Sequence, residues 1–278
     1  MNEKYLLIDC GEGTQMQLRR YKIRFSRIDH IFISHLHGDH FFGLPGLLSS
    51  FSLLGRERDL HIYAHSEIQD YLNCQMRYIK GDEDFKIIHH PLNFKRTDVI
   101  LDNKKMRVES FPLRHRIPCC GFKISEQKKD PHLLKEMIEK YDIPIADRVK
   151  IKEGSDFITS KGDIIPNSRL TKPSSPPRSY AFCTDTMYEE KIIPNIENVN
   201  MLYHEATFAD DMKDWAEKTY HTTSKQAAEI ALKANVGKLA IGHFSARYKN
   251  PKILLDEAKS VFSESYLAED GKVFKIEN

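Results

Sequence analysis

The chain has no long apolar run, few cysteines and almost no net charge, and each shortage closes off a class of protein. The longest apolar stretch, Phe41 to Leu54, is broken by Gly43, Pro45, Gly46 and three serines, and is shorter than the ~20 residues of a membrane-spanning helix. The amino terminus opens on charged residues and passes straight into Tyr5-Leu6-Leu7-Ile8, without the apolar stretch and small-residue cleavage site of a secretory signal. Cys10, Cys74, Cys119, Cys120 and Cys183 form no C-x-x-C pair, and an odd, scattered set argues against a disulfide framework. A soluble protein of the reducing cytoplasm is expected, with no membrane partner. The 42 Lys and Arg nearly match the 40 Asp and Glu, leaving +2, so any claim on nucleic acid has to come from local patches.

What is present is enough for a core. A length of 278 residues at 40% hydrophobic content fits one large α/β domain, or one domain with an insertion. Apolar runs rich in β-branched and aromatic residues predict strands at Tyr5–Ile8, Ile31–Ile33, Leu60–Ala64, Arg107–Phe111, Tyr180–Cys183, Met201–Tyr203 and Lys238–Ile241. Helical periodicity falls between them at Gly13–Arg20, Gly43–Leu54, Glu67–Tyr78, Leu133–Lys140, Asp210–Glu217, Lys225–Ala234 and Pro251–Phe262. Thr223 and Gln226 form a capping-box signature ahead of the sixth helix. From Glu126 to Arg178 the chain is polar and lysine-rich and ends in Lys172-Pro173-Ser174-Ser175-Pro176-Pro177-Arg178. That composition fits a projecting arm with a stiff return or, equally, a long loop with one helix.

The most specific signal is Ser34-His35-Leu36-His37-Gly38-Asp39-His40, directly after the strand Ile31-Phe32-Ile33. Three imidazoles and a carboxylate within six residues supply the nitrogen and oxygen donors that suit zinc and its neighbours. Gly38 is expected to permit the turn that folds them inward. Further candidates stand at the ends of later strands: His115, Asp185, Glu205 and His243. Ligands collect outside the carboxyl ends of strands in an open α/β sheet, so these residues are expected to converge on one rim. His35, His37, Asp39, His40, His115, Asp185 and His243 are enough for two ions sharing one carboxylate. Such a pair neutralises both the attacking and the leaving oxygen at phosphorus, so the ligand count favours phosphate-ester hydrolysis.

The H-x-H-x-D-H cluster resembles the hallmark of the metallo-β-lactamase superfamily. Within it the chain is most similar to ribonuclease Z, on the strings Ile8-Asp9-Cys10-Gly11-Glu12-Gly13-Thr14-Gln15, Phe41-Phe42-Gly43-Leu44-Pro45-Gly46, Asp185-Thr186, His204-Glu205-Ala206-Thr207, His221-Thr222-Thr223 and Gly242-His243-Phe244-Ser245-Ala246-Arg247-Tyr248. The resemblance implies an αββα sandwich, and an endoribonuclease that removes the 3′ trailer from precursor tRNA with two Zn²⁺, or Mn²⁺ or another divalent metal. It implies that His35, His37 and His115 hold one ion, that Asp39, His40 and His243 hold the other, and that Asp185 bridges. Asp39 would also orient or deprotonate the attacking oxygen. His221 would protonate the departing ribose oxygen, with Glu205 fixing its ring. Ser245 and Arg247 are candidates to bind the scissile phosphate, and His204 to support an inner ligand.

Residues 126–178 stand where the family carries its tRNA-gripping arm, the exosite, which serves the partner subunit of a homodimer; the Gly-Pro signature of that arm is not evident around Tyr141-Asp142-Ile143-Pro144. Basic clusters for RNA are Arg19, Arg20, Lys22, Arg24 and Arg27, and in the arm Lys128, Lys129, Lys135, Lys140, Arg148, Lys150 and Lys152. Family members carry further strands ahead of the Ile8–Gln15 string, so this chain is expected to lack the usual N-terminal strands, to expose a sheet edge and to be less stable than a longer relative. His30, His61, His65, His89, His90 and His132 match no ligand position and are expected on strand edges or in loops, and Cys119 and Cys120 in packing. Two other readings use the same residues: a metal-dependent hydrolase of small phosphodiesters or sulfate esters, and a non-catalytic RNA-binding descendant.

Overall fold

Alternating side chains of the apolar runs are buried on both sides, and this shapes the molecule into layers. In the computed structural model, which describes residues 5–79 and 85–277, β1 (Tyr5–Ile8), β2 (Ile28–Phe32), β3 (Leu60–Ala64) and β4 (Ile87–Pro91) form a four-stranded parallel sheet in that order. Ile31 faces outward onto the helices with Leu44, Leu47 and Phe51. Its neighbour Phe32 faces inward, stacked on Tyr63 at 4.7 Å and tilted against Phe122 of the second sheet at 5.5 Å. Parallel strands covered on both faces read as continuous apolar runs, which is why β3, buried at four of its five residues, matches its predicted span.

The second sheet comprises β5 (Asp98–Asp102), β6 (Met106–Leu113), β7 (Cys119–Glu126), β12 (Ser179–Cys183), β13 (Met201–Glu205), β14 (Leu239–Gly242) and β15 (Ser265–Leu267), in the order 15-14-13-12-7-6-5. Strands β12 to β15 are parallel, whereas β5, β6, β7 and β12 pair antiparallel. Two antiparallel steps restore direction, so β6 runs with β12 and their carboxyl ends open on the same rim. Helices Ser224–Lys233 and Lys252–Val261 cover the outer face through Ala227, Ala231, Leu254 and Ala258. The first of them starts at the expected box, Thr223 Oγ1 accepting from Gln226 N at 3.3 Å and Gln226 Oε1 from Thr223 N at 3.1 Å. Helix, sheet, sheet, helix is the αββα sandwich.

The stretch between β7 and β12, residues 127–178, is itself folded. It holds two short ladders, β8 (His132–Leu133) with β11 (Thr171–Lys172) and β9 (Phe157–Ile158) with β10 (Ile164–Ile165), and helices at Lys135–Lys140 and Ile145–Lys152. Ile143, Ile151, Phe157, Ile165 and Leu170 make its own small core. Its root is closed where Glu126 N donates to Arg178 O at 2.9 Å and the Arg178 guanidinium grips the Glu126 carboxylate at 2.6 and 3.1 Å. Another nitrogen of the same guanidinium reaches the Ile276 carbonyl at 3.2 Å.

Several expectations shift. Of the histidines assigned to strand edges or loops, His89 and His90 do stand on β4, the edge strand of the first sheet, whereas His30 and His61 stand within its inner strands β2 and β3. The rings of His30 and His61 stack at 5.0 Å and those of Tyr63 and His90 at 4.4 Å, so aromatic stacking between parallel strands accounts for the placement of His30, His61 and His90. Cys119 and Cys120 are buried in β7 as packing residues, each with its thiol pushed up by burial. Among the described residues no helix is long and apolar enough to cross a membrane.

Candidate metal centre

Each candidate ligand hangs from the carboxyl end of a strand. β2 delivers His35, His37, Asp39 and His40 through the loop and the short helix Gly38–Phe41; β6 delivers His115, β12 Asp185 and β14 His243. The turn after β1 lies against the histidine loop: Cys10 N donates to His40 O at 2.7 Å and Gly43 N to Cys10 O at 2.8 Å. A Cβ on Gly11 would stand 2.1 Å from Asp39 O, and one on Gly43 1.8 Å from Gly11 O, so these two glycines are required by close backbone approach. Gly38 has a different role from the one expected. It begins a helical turn, and what it provides is room for the Phe42 ring, 2.4 Å from where its Cβ would sit.

The seven residues converge as two donor groups, His35, His37, His115 and Asp185 in one and Asp39, His40 and His243 in the other, the donor atoms of each within 4.8 Å of one another. Asp185 lies between them. Its Oδ2 is 3.7 Å from both His35 Nε2 and His115 Nε2, while Oδ1 is 3.5 Å from His40 Nε2 and 3.2 Å from His243 Nε2. One carboxylate thus turns one oxygen to each group.

The imidazoles are oriented as ligands must be. His35 Nδ1 meets Ser34 Oγ at 3.0 Å, His40 Nδ1 meets Asp9 Oδ2 at 2.7 Å, His115 Nδ1 meets the Tyr220 carbonyl at 3.1 Å, and His243 Nδ1 meets Thr207 Oγ1 at 2.9 Å. With Nδ1 so engaged, Nε2 of each is the nitrogen turned inward, and the outer hydrogen bond sets the tautomer. His37 is the exception: its Nδ1 points inward, 3.0 Å from His35 Nε2 and 3.2 Å from His115 Nε2. Three ring nitrogens gathered this closely fit a divalent cation among them, since each offers a lone pair.

The field is strong and local. Burial works to raise the Asp185 carboxyl, but the imidazoles of His243, His40, His35 and His221 outweigh it and hold the group well below the usual carboxylate range. Burial, with His40 beside it, pushes His35 down to about 2. Burial also opposes charge on His40, yet the hydrogen bond and charge of Asp9, with Asp185 and Asp39, lift it to about 9. Asp39 differs from the rest in that its side chain is 65% exposed, at the mouth of the site.

Glu205 and His221 form an adjoining unit. Glu205 is fully buried and accepts five hydrogen bonds: Oε1 from Thr186 N (3.1 Å), Thr222 N (3.1 Å) and His221 Nδ1 (2.9 Å), and Oε2 from Thr207 N (3.0 Å) and Thr207 Oγ1 (2.7 Å). Burial opposes charge on His221, and the hydrogen bond and charge of Glu205 raise its pKa above the ordinary value. Its ring stacks on His243 at 5.4 Å, and it shares a 4.8 Å donor group with Asp185 and His243. Arg247 stands nearby, Nε to Ser245 Oγ at 3.0 Å, with its guanidinium 5.0 Å from the Phe208 ring, which itself lies 6.2 Å from His221. His204 does not support an inner ligand. Its Nδ1 bonds the Glu205 carbonyl at 2.7 Å, because neighbouring residues on β13 point to opposite faces.

Sequence reasoning missed two supporting residues. Asp9 sits after β1 in the left-handed region at φ 57° and accepts from Ser34 N (2.8 Å), Ser34 Oγ (2.9 Å) and His40. Thr207 ties Glu205 and His221 to His243. Both lie within strings that carry the family resemblance, and an acid closing the strand before a histidine loop was a usable sign for Asp9.

Comparison with known proteins agrees with this architecture. Residues 1–141 match the family model described as Anti-Pycsar protein Apyc1. The chain is 47% identical to the ribonuclease Z of Bacteroides fragilis, covering 98% of this chain and 89% of that protein, and 46% identical to that of Bacteroides thetaiotaomicron, covering 100% and 88%. Among solved structures it is similar to the short form of human tRNase Z, with a TM-score of 0.70 at 26% identity over 100% of this chain and 90% of that one. It shares its fold with the metallo-β-lactamase fold protein YhfI of Bacillus subtilis, with a TM-score of 0.67 at 20% identity over 99% and 89%. The chain therefore falls, over its first half, within the family that the Apyc1 model describes and, over its whole length, belongs to the ribonuclease Z family of endoribonucleases.

Proposed function

We propose that this endoribonuclease removes the 3′ trailer of precursor tRNA with a pair of divalent cations, Zn²⁺ or a neighbour such as Mn²⁺. The observation that carries the proposal is Asp185, one oxygen facing each donor group. In this reading His35, His37 and His115 hold one ion, Asp39, His40 and His243 the other, and Asp185 joins them. When bound, the pair supplies Lewis acidity and charge neutralisation at phosphorus.

The remaining chemistry belongs to the chain. Asp39, open to solvent, orients the attacking water and takes up its proton. His221, its Nδ1–H held by Glu205, has Nε2 free to protonate the leaving 3′-oxygen, so that the tRNA keeps a 3′-hydroxyl. Arg247, steadied by Ser245, binds the scissile phosphate as a charge-assisted donor.

Choice of tRNA is supported by the named relatives and by the insertion, whose Lys128, Lys129, Lys135, Lys140, Lys150 and Lys152 offer phosphate contacts. Arg148 belongs to the same set: Nε and Nη2 hold the Ile143 carbonyl at 3.2 Å, which fixes the guanidinium while its remaining donors and its charge stay available. Shape and backbone contacts suit such a substrate better than base reading. A homodimer in which each arm serves the other subunit is part of the proposal, supported by Leu53 and Leu54, 83% and 62% exposed at one helix end. The cytoplasm is where the substrate would be met.

The test is incubation of the purified, metal-loaded protein with a 3′-extended tRNA precursor, with and without a chelator, mapping the cut. Cleavage at the trailer junction that the chelator abolishes and added zinc restores is the expected result. Binding without cleavage, or turnover of small diesters or sulfate esters alone, would replace this reading.

A further inference from the structure

Beside the metal centre is a cleft of about 580 Å³ lined by Arg114, Met187, Asp214, Glu217, Lys218 and Tyr220. It is built on the loops of the site itself. Arg114 precedes His115, Met187 follows Asp185 by two residues, and Tyr220 precedes His221. The loops are fastened together: Arg114 N donates to Thr186 Oγ1 at 3.1 Å, Met187 N donates to Arg114 O at 2.9 Å, and Thr222 Oγ1 donates to the Thr186 carbonyl. Whatever occupies this cleft is held in register with the atoms that react.

Its lining is that of a nucleobase site. Tyr220 offers a ring face, 36% exposed, and Met187 a polarizable thioether. Around them Asp214 and Glu217 are acceptors for ring and exocyclic N–H groups, and Arg114 and Lys218 are donors for carbonyls and ring nitrogens. Among the described residues none of these four side chains forms an ion pair or hydrogen bond with the protein, so their polar ends remain available. The Arg116 guanidinium lies 6.0 Å from the Tyr220 ring centroid, a cation that strengthens stacking on the aromatic.

The backbone gives an independent sign. Tyr220 ends helix Lys213–Thr219 at φ 61°, ψ 44°, in the left-handed region where a helix terminus favours glycine. A bulky side chain there carries a conformational penalty and is kept when it has another use. Seven described non-glycine residues have positive φ; Asp9, Tyr220 and His243 are those at the metal centre. The Tyr220 main-chain carbonyl accepts from His115 Nδ1, which ties the backbone that carries the Tyr220 ring to a metal-competent histidine.

We infer that this cleft seats the nucleobase immediately 5′ of the scissile bond, with Tyr220 as its stacking platform. The polarity follows from His221: the oxygen it protonates is the 3′-oxygen of the upstream nucleotide, and the cleft adjoins His221 through Tyr220. The inference rests on the role proposed for His221 as proton donor.

The test uses metal-loaded protein and trailer-bearing RNA carrying 2-aminopurine either just 5′ or just 3′ of the cut. Binding to the native protein and to Tyr220→Phe is expected to quench the 5′ probe at least about twofold, and binding to Tyr220→Asn, which tolerates the left-handed backbone, to leave it bright. An abasic nucleotide at the 5′ position should lower kcat/KM about tenfold in the native protein and leave Tyr220→Asn no worse than that substitution alone. Quenching of the 3′ probe instead, equal quenching in Tyr220→Asn, or additive effects of the two changes would overturn the inference. Fluorescence reports binding whether or not the bond is cut, so a quenched 5′ probe without cleavage would count against the phosphodiesterase reading alone.

Discussion

The metal centre and the arm place their polar residues in opposite ways. At the centre, buried side chains are locked by partners from different strands: Glu205 accepts five hydrogen bonds, and His35, His40, His115 and His243 each have an outer nitrogen held. In the arm, apolar side chains make a small private core and most lysines face solvent. Substitutions at the centre therefore act through geometry, whereas those in the arm act through charge and local stability.

Asp185→Ala should do the most damage. Loss of the carboxylate that faces both donor groups is expected to reduce turnover about 10³-fold or more and to lower the content of bound divalent metal relative to the native protein, read by pre-tRNA cleavage beside metal analysis. His221→Ala and Glu205→Gln come next, lowering kcat about 10²- to 10⁴-fold with metal content unchanged. A matching fall in zinc would merge this unit with the metal groups and erase the distinction between them. Asp9→Asn weakens the hold on His40 and should reduce zinc affinity about 10- to 100-fold, measured by competition with a chelator, with activity returning at excess metal. In the arm, Lys150→Glu with Lys152→Glu is expected to raise KM for precursor tRNA and leave kcat near its native value. The same pair should flatten the log–log slope of binding against salt by about one for each phosphate that is no longer neutralised. A kcat effect from that pair would show the arm to be more than a handle.

The centre was legible because its residues stand at strand ends and the strands are strongly apolar. β12, β13 and β14 each carry a run that only a buried strand explains, and the residues that follow them face one another across the rim. Strands such as β5 and β7 were not legible. β7 follows Cys119-Cys120-Gly121-Phe122 with alternating Lys123-Ile124-Ser125-Glu126, and β5 is an edge strand closed by Asp98 and Asp102, so neither stands out from a loop. The arm's ladders are two residues long, too short to show a period, and its helix Ile145–Lys152 went unpredicted. Asp9 and Thr207 act through contacts with residues 31 and 36 positions away; the position of Asp9 at a strand end was the one local sign of this, and Thr207 had none.

The clasp between Glu126 and Arg178 bears on how such an enzyme changes over time. Because outgoing and returning chain leave the sheet side by side, the entropy of closing the excursion grows only with the logarithm of its length. Segments can be gained, lost or rebuilt beyond that clasp at small thermodynamic expense, so reach toward a substrate is free to vary between lineages while the catalytic rim keeps its shape. The bond from Arg178 to the Ile276 carbonyl joins a residue 98 positions away to the same fastening, so the clasp is anchored to the body from two directions.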